Sequence, residues 1–140
     1  MVGYRQHFTP SAQFPAPHAI LAVSVIMADT DAEANDLALS VQFAFLNLAQ
    51  GRTGPLPSPE EVQAYPLGAF ERQQMAAIRD RHFVGSPATV RENLLPLIEA
   101  TQADELMVLT MVHDHAARVR SFELLAEMFE LTPAAAEISP

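Results

Sequence analysis

Residues 20–41 read ILAVSVIMADTDAEANDLALSV, and this stretch decides the fold. From Ile20 to Ala28 the chain is Val, Ile, Leu, Met and Ala, with Ser24 the single polar interruption. A run without polar alternation suits a strand buried on both faces, as in a parallel sheet. Asp29, Thr30 and Asp31 then offer cap oxygens, and Glu33 places a negative charge where the free N–H groups of a first helical turn favour it. Ala34, Leu37, Ala38, Val41, Phe45 and Leu48 recur at three- and four-residue steps, which predicts one apolar helical face. Gly51 stands where a left-handed residue closes such a helix. The reading is strand, tight turn, helix.

The same grammar recurs outward from this unit. ELMVLTMV at 105–112 is a second apolar strand, followed by His113, Asp114 and His115. Asp114 is placed to cap a last helix whose stripe is Val119, Phe122, Leu125 and Phe129. HFVG at 82–85 reads as a very short strand, after which Ser86 and Pro87 open a helix with Val90, Leu94, Leu97 and Ile98 on its apolar face. Pro96 inside that helix deletes a hydrogen bond and costs about 3 kcal/mol, so a kink or an early end is expected there. GRTGPLPSP at 51–59 is a loop, and Ser58 with Glu61 has capping-box spacing around Pro59. A short helix over 59–64 and another over 67–80 follow. This excursion is too long for a connector and is of the kind that covers a site. VGYRQHF at 2–8 reads as the end of a helix, and Pro10, Pro15 and Pro17 keep the next stretch extended.

Alternating strands and helices with double-sided strands predict parallel βα units, hence an α/β fold. Three strands fall short of the eight strands and about 250 residues of a (β/α)8 barrel. The expectation is a partial barrel with a helical insertion over residues 1–131, and a flexible tail over 132–140, which lacks periodicity.

Composition narrows the function classes. The chain is 49% hydrophobic and 18% charged, enough apolar material for a core. Its 8 basic and 17 acidic residues give a formal charge of −9, which repels phosphate backbones and anionic lipid. Nucleic acid and membrane are therefore not expected partners. The absence of cysteine excludes disulfides, Cys-ligated zinc and thiol catalysis. The longest apolar run, residues 19–28, is half of the roughly 20 residues a membrane helix needs. The first ten residues hold no apolar signal core, so a cytoplasmic protein is the expectation.

Four stretches resemble the luciferase-like monooxygenases, the bacterial-luciferase-type barrels. YRQHFTPSAQF at 4–14 is similar to the segment after that family's fifth strand. HAILAVSVIMADTDAEANDLALS at 18–40 resembles its sixth strand and following helix. FVGSPATVRENL at 83–94 resembles its seventh βα unit, and ADELMVLTMVHDHAARVRSFELLAEMF at 103–129 its eighth strand and last helix. The resemblance covers almost the whole chain and runs in family order. It implies the last three βα units of a barrel and an oxidoreductase chemistry that uses oxygen with a reduced flavin, either FMN or the deazaflavin F420. It also implies that most flavin and substrate contacts lie on strands this chain does not contain. The chain alone is then expected to hold flavin weakly and to act only with a partner: a second copy, or a chain carrying the missing strands. The rival reading is a non-enzymatic half-barrel used for binding or assembly.

His113 and His115 follow the end of a strand, where barrel active sites are built. One imidazole could stand at the rim of a substrate or flavin pocket as a hydrogen-bond donor or proton shuttle. Equally, Asp114 is a helix cap and the histidines are turn residues beside it. Two histidines are too few for a metal site, and no other ligand joins them at a recognisable spacing. Gly85 and Ser86 precede a helix N-terminus, where free N–H groups can bind an anion, although Ser and Pro are also what capping alone selects. Arg118 and Arg120 read as surface charges paired with Glu123 or other acids. No serine lies in a nucleophile elbow, and no catalytic residue can be assigned.

Overall fold

A computed structural model describes residues 2–132, with no side-chain placement for Val2. The expected tail lies, from residue 133 on, outside the described residues. The elements are α1 (Val2–Gln6), β1 (Ile20–Met27), α2 (Asp31–Ala49), α3 (Pro59–Ala64), α4 (Ala69–Arg79), β2 (Phe83–Gly85), α5 (Pro87–Thr101), β3 (Glu105–Leu109) and α6 (His115–Met128).

β1 is the centre of the molecule. It pairs in parallel with β2 through Val25–Met27 and with β3 through Ile20–Ser24, giving a three-stranded sheet ordered β2-β1-β3. Its side chains divide by parity, as a pleated strand requires. Val25 and Met27 pack with Val90 and Leu94 of α5 and with Leu124 and Leu125 of α6. Ile26 points the other way, into Ala34, Ala38 and Val41 of α2, joined by Val84 and Val112. A third cluster, Phe43, Leu46, Val62 and Met75, fastens the α3–α4 excursion to the far flank of α2.

The described residues form a small parallel α/β sheet, as expected, and a closed barrel is not among them. Successive barrel strands would lie side by side in chain order, with every helix on the outer face. Here the first strand is central, and α2 lies on the opposite face from α5 and α6. The sheet of the described residues is open. β2, at three residues, pairs only with the C-terminal end of β1, while β3 pairs along its N-terminal half.

β3 is also shorter than expected, ending at Leu109 rather than at residue 112. Two hydroxyls carry on the hydrogen bonding of β1 where β3 stops. Buried Thr110 donates from Oγ1 to the Val25 carbonyl at 2.8 Å, and buried Ser121 accepts the Met27 N–H at 2.9 Å. At the other end of the sheet, Arg5 of α1 binds the Gln102 carbonyl and the Asp104 carboxylate, and Asp104 accepts the Ala19 N–H.

The caps follow the sequence. Thr30 accepts from the Glu33 N–H, Ser58 and Glu61 form the capping box, and Asp114 accepts from the Ala117 N–H at 2.7 Å. Gly51 follows α2 at φ 74°, the left-handed geometry that favours glycine. Two apolar faces differ from expectation. Phe45 and Leu48 are exposed, because α3 and α4 pack on the neighbouring flank of α2 and bury Phe43 and Leu46 instead. On α6, Val119 and Phe122 are exposed, and the buried stripe is Ser121, Leu124 and Leu125. α5 runs through Pro96 to Thr101 without ending early. Pro96 is exposed, so water reaches the carbonyl that its missing N–H leaves unbonded.

Candidate functional site

The C-terminal ends of the strands gather most of the polar candidates. Asp29 and Asp31 follow β1, Ser86 follows β2, and His113 with Asp114 and His115 follows β3. Gly85 and Ser86 sit against the start of α2. The Ser86 N–H donates to Asp31 Oδ1 at 2.7 Å, so a carboxylate of the chain itself stands beside the cap of α5. The Ser86 side chain makes no cap bond to its own helix. Asp31 is held below the usual carboxylate range chiefly by that backbone N–H and then by the hydroxyls of Thr89 and Ser86. Gly85 lies at φ 156°, and a Cβ there would stand 2.7 Å from Thr89 Cγ2 and 2.8 Å from Asp31 Oδ1. The glycine makes this close approach possible. An incoming anion at this point would face Asp31, which is the physical argument against Gly85 and Ser86 as an anion site.

His113 and His115 turn to different partners. His113 Nδ1 donates to the Leu56 carbonyl at 2.8 Å, tying the 51–58 loop to the end of β3. That bond assigns the Nδ1 proton and leaves Nε2 as the acceptor of the neutral ring. Glu60, at the start of α3, is lowered mainly by the Ser58 hydroxyl, with a smaller attraction from His113. His115 Nδ1 accepts from Arg118 at 2.8 Å, so the imidazole is engaged by its own helix. Arg120 bonds Asp29 at 2.7 Å and also meets Glu123 and Glu127, which lowers Asp29 and raises Arg120. Both arginines are thus bound to neighbours on the chain. Among the described residues no group of three or more His, Asp or Glu side chains comes together as a metal site. No helix of those residues is long and apolar enough to cross a membrane.

Sequence reasoning missed a cavity of about 480 Å³ between the second half of α2, the 51–55 loop, Tyr65 and Met111. Phe43, Phe45, Leu48 and Pro55 make it apolar, and Arg52, whose guanidinium donates to Asn47 Oδ1 at 2.8 Å, stands at its edge. The volume is that of a small-molecule site. The one signal in the sequence was the length of the 51–80 excursion; most of the lining comes from residues 43–55, where periodicity read Phe45 and Leu48 as core.

No protein-family model matches the chain. It is 41% identical over 126 residues to the uncharacterized protein YceB of Bacillus subtilis, covering 90% of this chain and 38% of that protein. It is 36% identical over 127 residues to the luciferase-like monooxygenase of Escherichia coli K12, covering 91% of this chain and 38% of the relative. Among solved structures, the crystal structure of apo-MsnO8 superposes with a TM-score of 0.82 at 38% identity, over 94% of this chain and 40% of that one. The chain thus spans about two fifths of the length of the relatives it matches. Over nine-tenths of its own length, it is similar to part of a luciferase-like monooxygenase.

Proposed function

We propose that this chain is one portion of a luciferase-like, flavin-dependent monooxygenase, and that its catalytic unit is completed by polypeptide outside the residues described here. The observation that carries the reading is the 36% identity to a luciferase-like monooxygenase sustained over 127 residues, in step with a fold that superposes on part of a longer chain. Reduced FMN or F420 is the cofactor this reading implies, supplying the activation of oxygen.

The residues present do not fit a complete flavin site. A flavin phosphate needs free N–H groups or unpaired cations. Asp31 already takes the Ser86 N–H, Thr30 caps α2 and Asp114 caps α6. Arg120, which meets Asp29 just after β1, is spent on three acids. The part this chain plays is to form one wall of the site. His113 and His115 stand at its rim, with the free Nε2 of His113 the better placed to meet substrate or flavin.

The test is a pair of titrations with FMN, followed by flavin fluorescence. The isolated chain is expected to leave low-micromolar FMN unquenched. A chimera carrying this chain in place of the matched segment of the Escherichia coli relative is expected to bind it. Stoichiometric quenching by the isolated chain, or a folded chimera that binds none, would overturn the reading.

A further inference from the structure

We infer that the cavity between the second half of α2 and the 51–55 loop binds a small aromatic carboxylate, with Arg52 as its counter-charge. This site needs neither flavin nor further polypeptide, so it stands apart from the proposed function.

The walls select a flat apolar body. Phe43 is buried, while Phe45 is 40% exposed, Leu48 56% and Tyr65 41%. Three of the large side chains that the fold leaves in solvent thus border one concavity of about 480 Å³. The Phe43 and Tyr65 rings meet edge to face, with centroids 4.9 Å apart and planes at 64°. A guest ring extends that arrangement, and aromatic pairs gain from such geometry beyond burial alone. An aliphatic chain gains the burial only. The volume is enough for a guest of one or two rings.

The charged head is set by Arg52. Gly51, at φ 74°, turns the chain at the end of α2, and the Arg52 N–H then donates to the Asn47 carbonyl at 2.8 Å. The side chain returns to the same residue: Nε and Nη2 both donate to Asn47 Oδ1, at 3.2 and 2.8 Å. Those two bonds use one edge of the guanidinium. Its other edge, made by Nη1 and the second hydrogen of Nη2, matches the two oxygens of a carboxylate. A group already held in place loses little freedom when it binds.

The charge itself lacks a counterpart on the chain. Asn47 is neutral, and Arg52 takes part in none of the ion pairs among the described residues, unlike Arg5 and Arg120. This holds in a chain whose formal charge is −9, where acids outnumber bases by two to one. One guanidinium balances one negative charge. A phosphate dianion calls for a second cation or a cluster of N–H groups, and Arg52 is the one basic residue among those that line the cavity. A singly charged carboxylate on an aromatic body is the ligand that fits both walls and head.

The experiment titrates the full chain with naphthoate, its neutral analogue naphthamide, and octanoate, followed by calorimetry and by the methyl resonances of the methionines. Naphthoate is expected to bind saturably, one per chain. Naphthamide, which keeps the rings and loses the charge, should bind at least about tenfold more weakly. Octanoate, which keeps the charge and loses the rings, should bind about threefold more weakly or worse. The Met111 methyl, on the cavity wall, should shift with naphthoate, and that of Met107, exposed on β3, should not. Arg52→Gln should abolish the preference for naphthoate over naphthamide. Arg81→Gln, on the two neighbouring depressions, should leave it intact. Circular dichroism checks that each variant folds; if Arg52→Gln does not, the naphthamide comparison and the Met111 shift decide. Four results would overturn the inference: no saturable uptake of naphthoate at millimolar concentration, equal affinity for naphthoate and naphthamide, octanoate bound as tightly as naphthoate, or a response at Met107 or to Arg81→Gln in place of Met111 and Arg52→Gln. The last would move the acid to another part of the surface.

Discussion

Asp31 is the residue on which two elements meet. It opens α2, and its carboxylate receives the N–H of Ser86, the cap residue of α5, with Gly85 letting the two backbones come close. Because its folded-state pKa lies below the ordinary 3.8, the carboxylate contributes stability that is present above that value and lost as the pH falls below it. Asp31→Asn should therefore lower the melting temperature at neutral pH, with the gap to wild type narrowing below pH 3.8. A gap that stayed constant across that range would show that the charge plays no part. Ser121 has a different role at the same scale. Its hydroxyl satisfies the Met27 N–H in a fully buried position. Ser121→Ala orphans that donor and should cost about 1–3 kcal/mol in chemical denaturation. Neither role was legible from the sequence. Periodicity counts apolar residues, so a serine in the middle of a buried stripe is invisible to it, and Asp31 and Ser86 lie 55 positions apart in the chain. His113 and His115 were legible as residues at a strand end, while their partners, a loop carbonyl and an arginine on the same helix, were not.

At the scale of elements, the sequence announces what local chemistry controls. The Thr30 cap, the Ser58–Glu61 box, the Asp114 cap and Gly51 all stand where their side chains or backbone require. The failures lie where tertiary packing chooses between two acceptable faces. α6 could bury Val119 and Phe122 or Ser121 and Leu124, and contact with β1 selects the second. β3 could run to Val112, but Thr110 turns its hydroxyl to β1 and the ladder stops. Pro96 belongs here too. Its ring sits in an unbroken and exposed turn of α5. Pro96→Ala should restore a hydrogen bond and stabilise the protein by about 1–3 kcal/mol, less the entropy returned to the unfolded chain. A loss above about 1 kcal/mol would mean that the neighbouring packing is fitted to the proline.

For the whole molecule, the parallel α/β character was readable, and the order of the strands was not. Apolar runs reveal that strands are buried, but not which neighbours bury them. β1 satisfies both its faces only at its C-terminal half, where α2 covers one side and the α5–α6 pair the other. Its N-terminal half and β3 leave Ile20, Met107 and Leu109 in solvent, a cost a self-sufficient domain of this size does not ordinarily bear. Among the described residues β3 pairs on one side only, and this face of the sheet stays exposed. Light scattering coupled to size exclusion, on the isolated chain over a range of concentrations, shows whether that surface recruits a partner. Self-association is expected, with an average mass above 15.3 kDa that rises with concentration. A monodisperse species at 15.3 kDa, unchanged by concentration, would show instead that the chain covers its own face and edge.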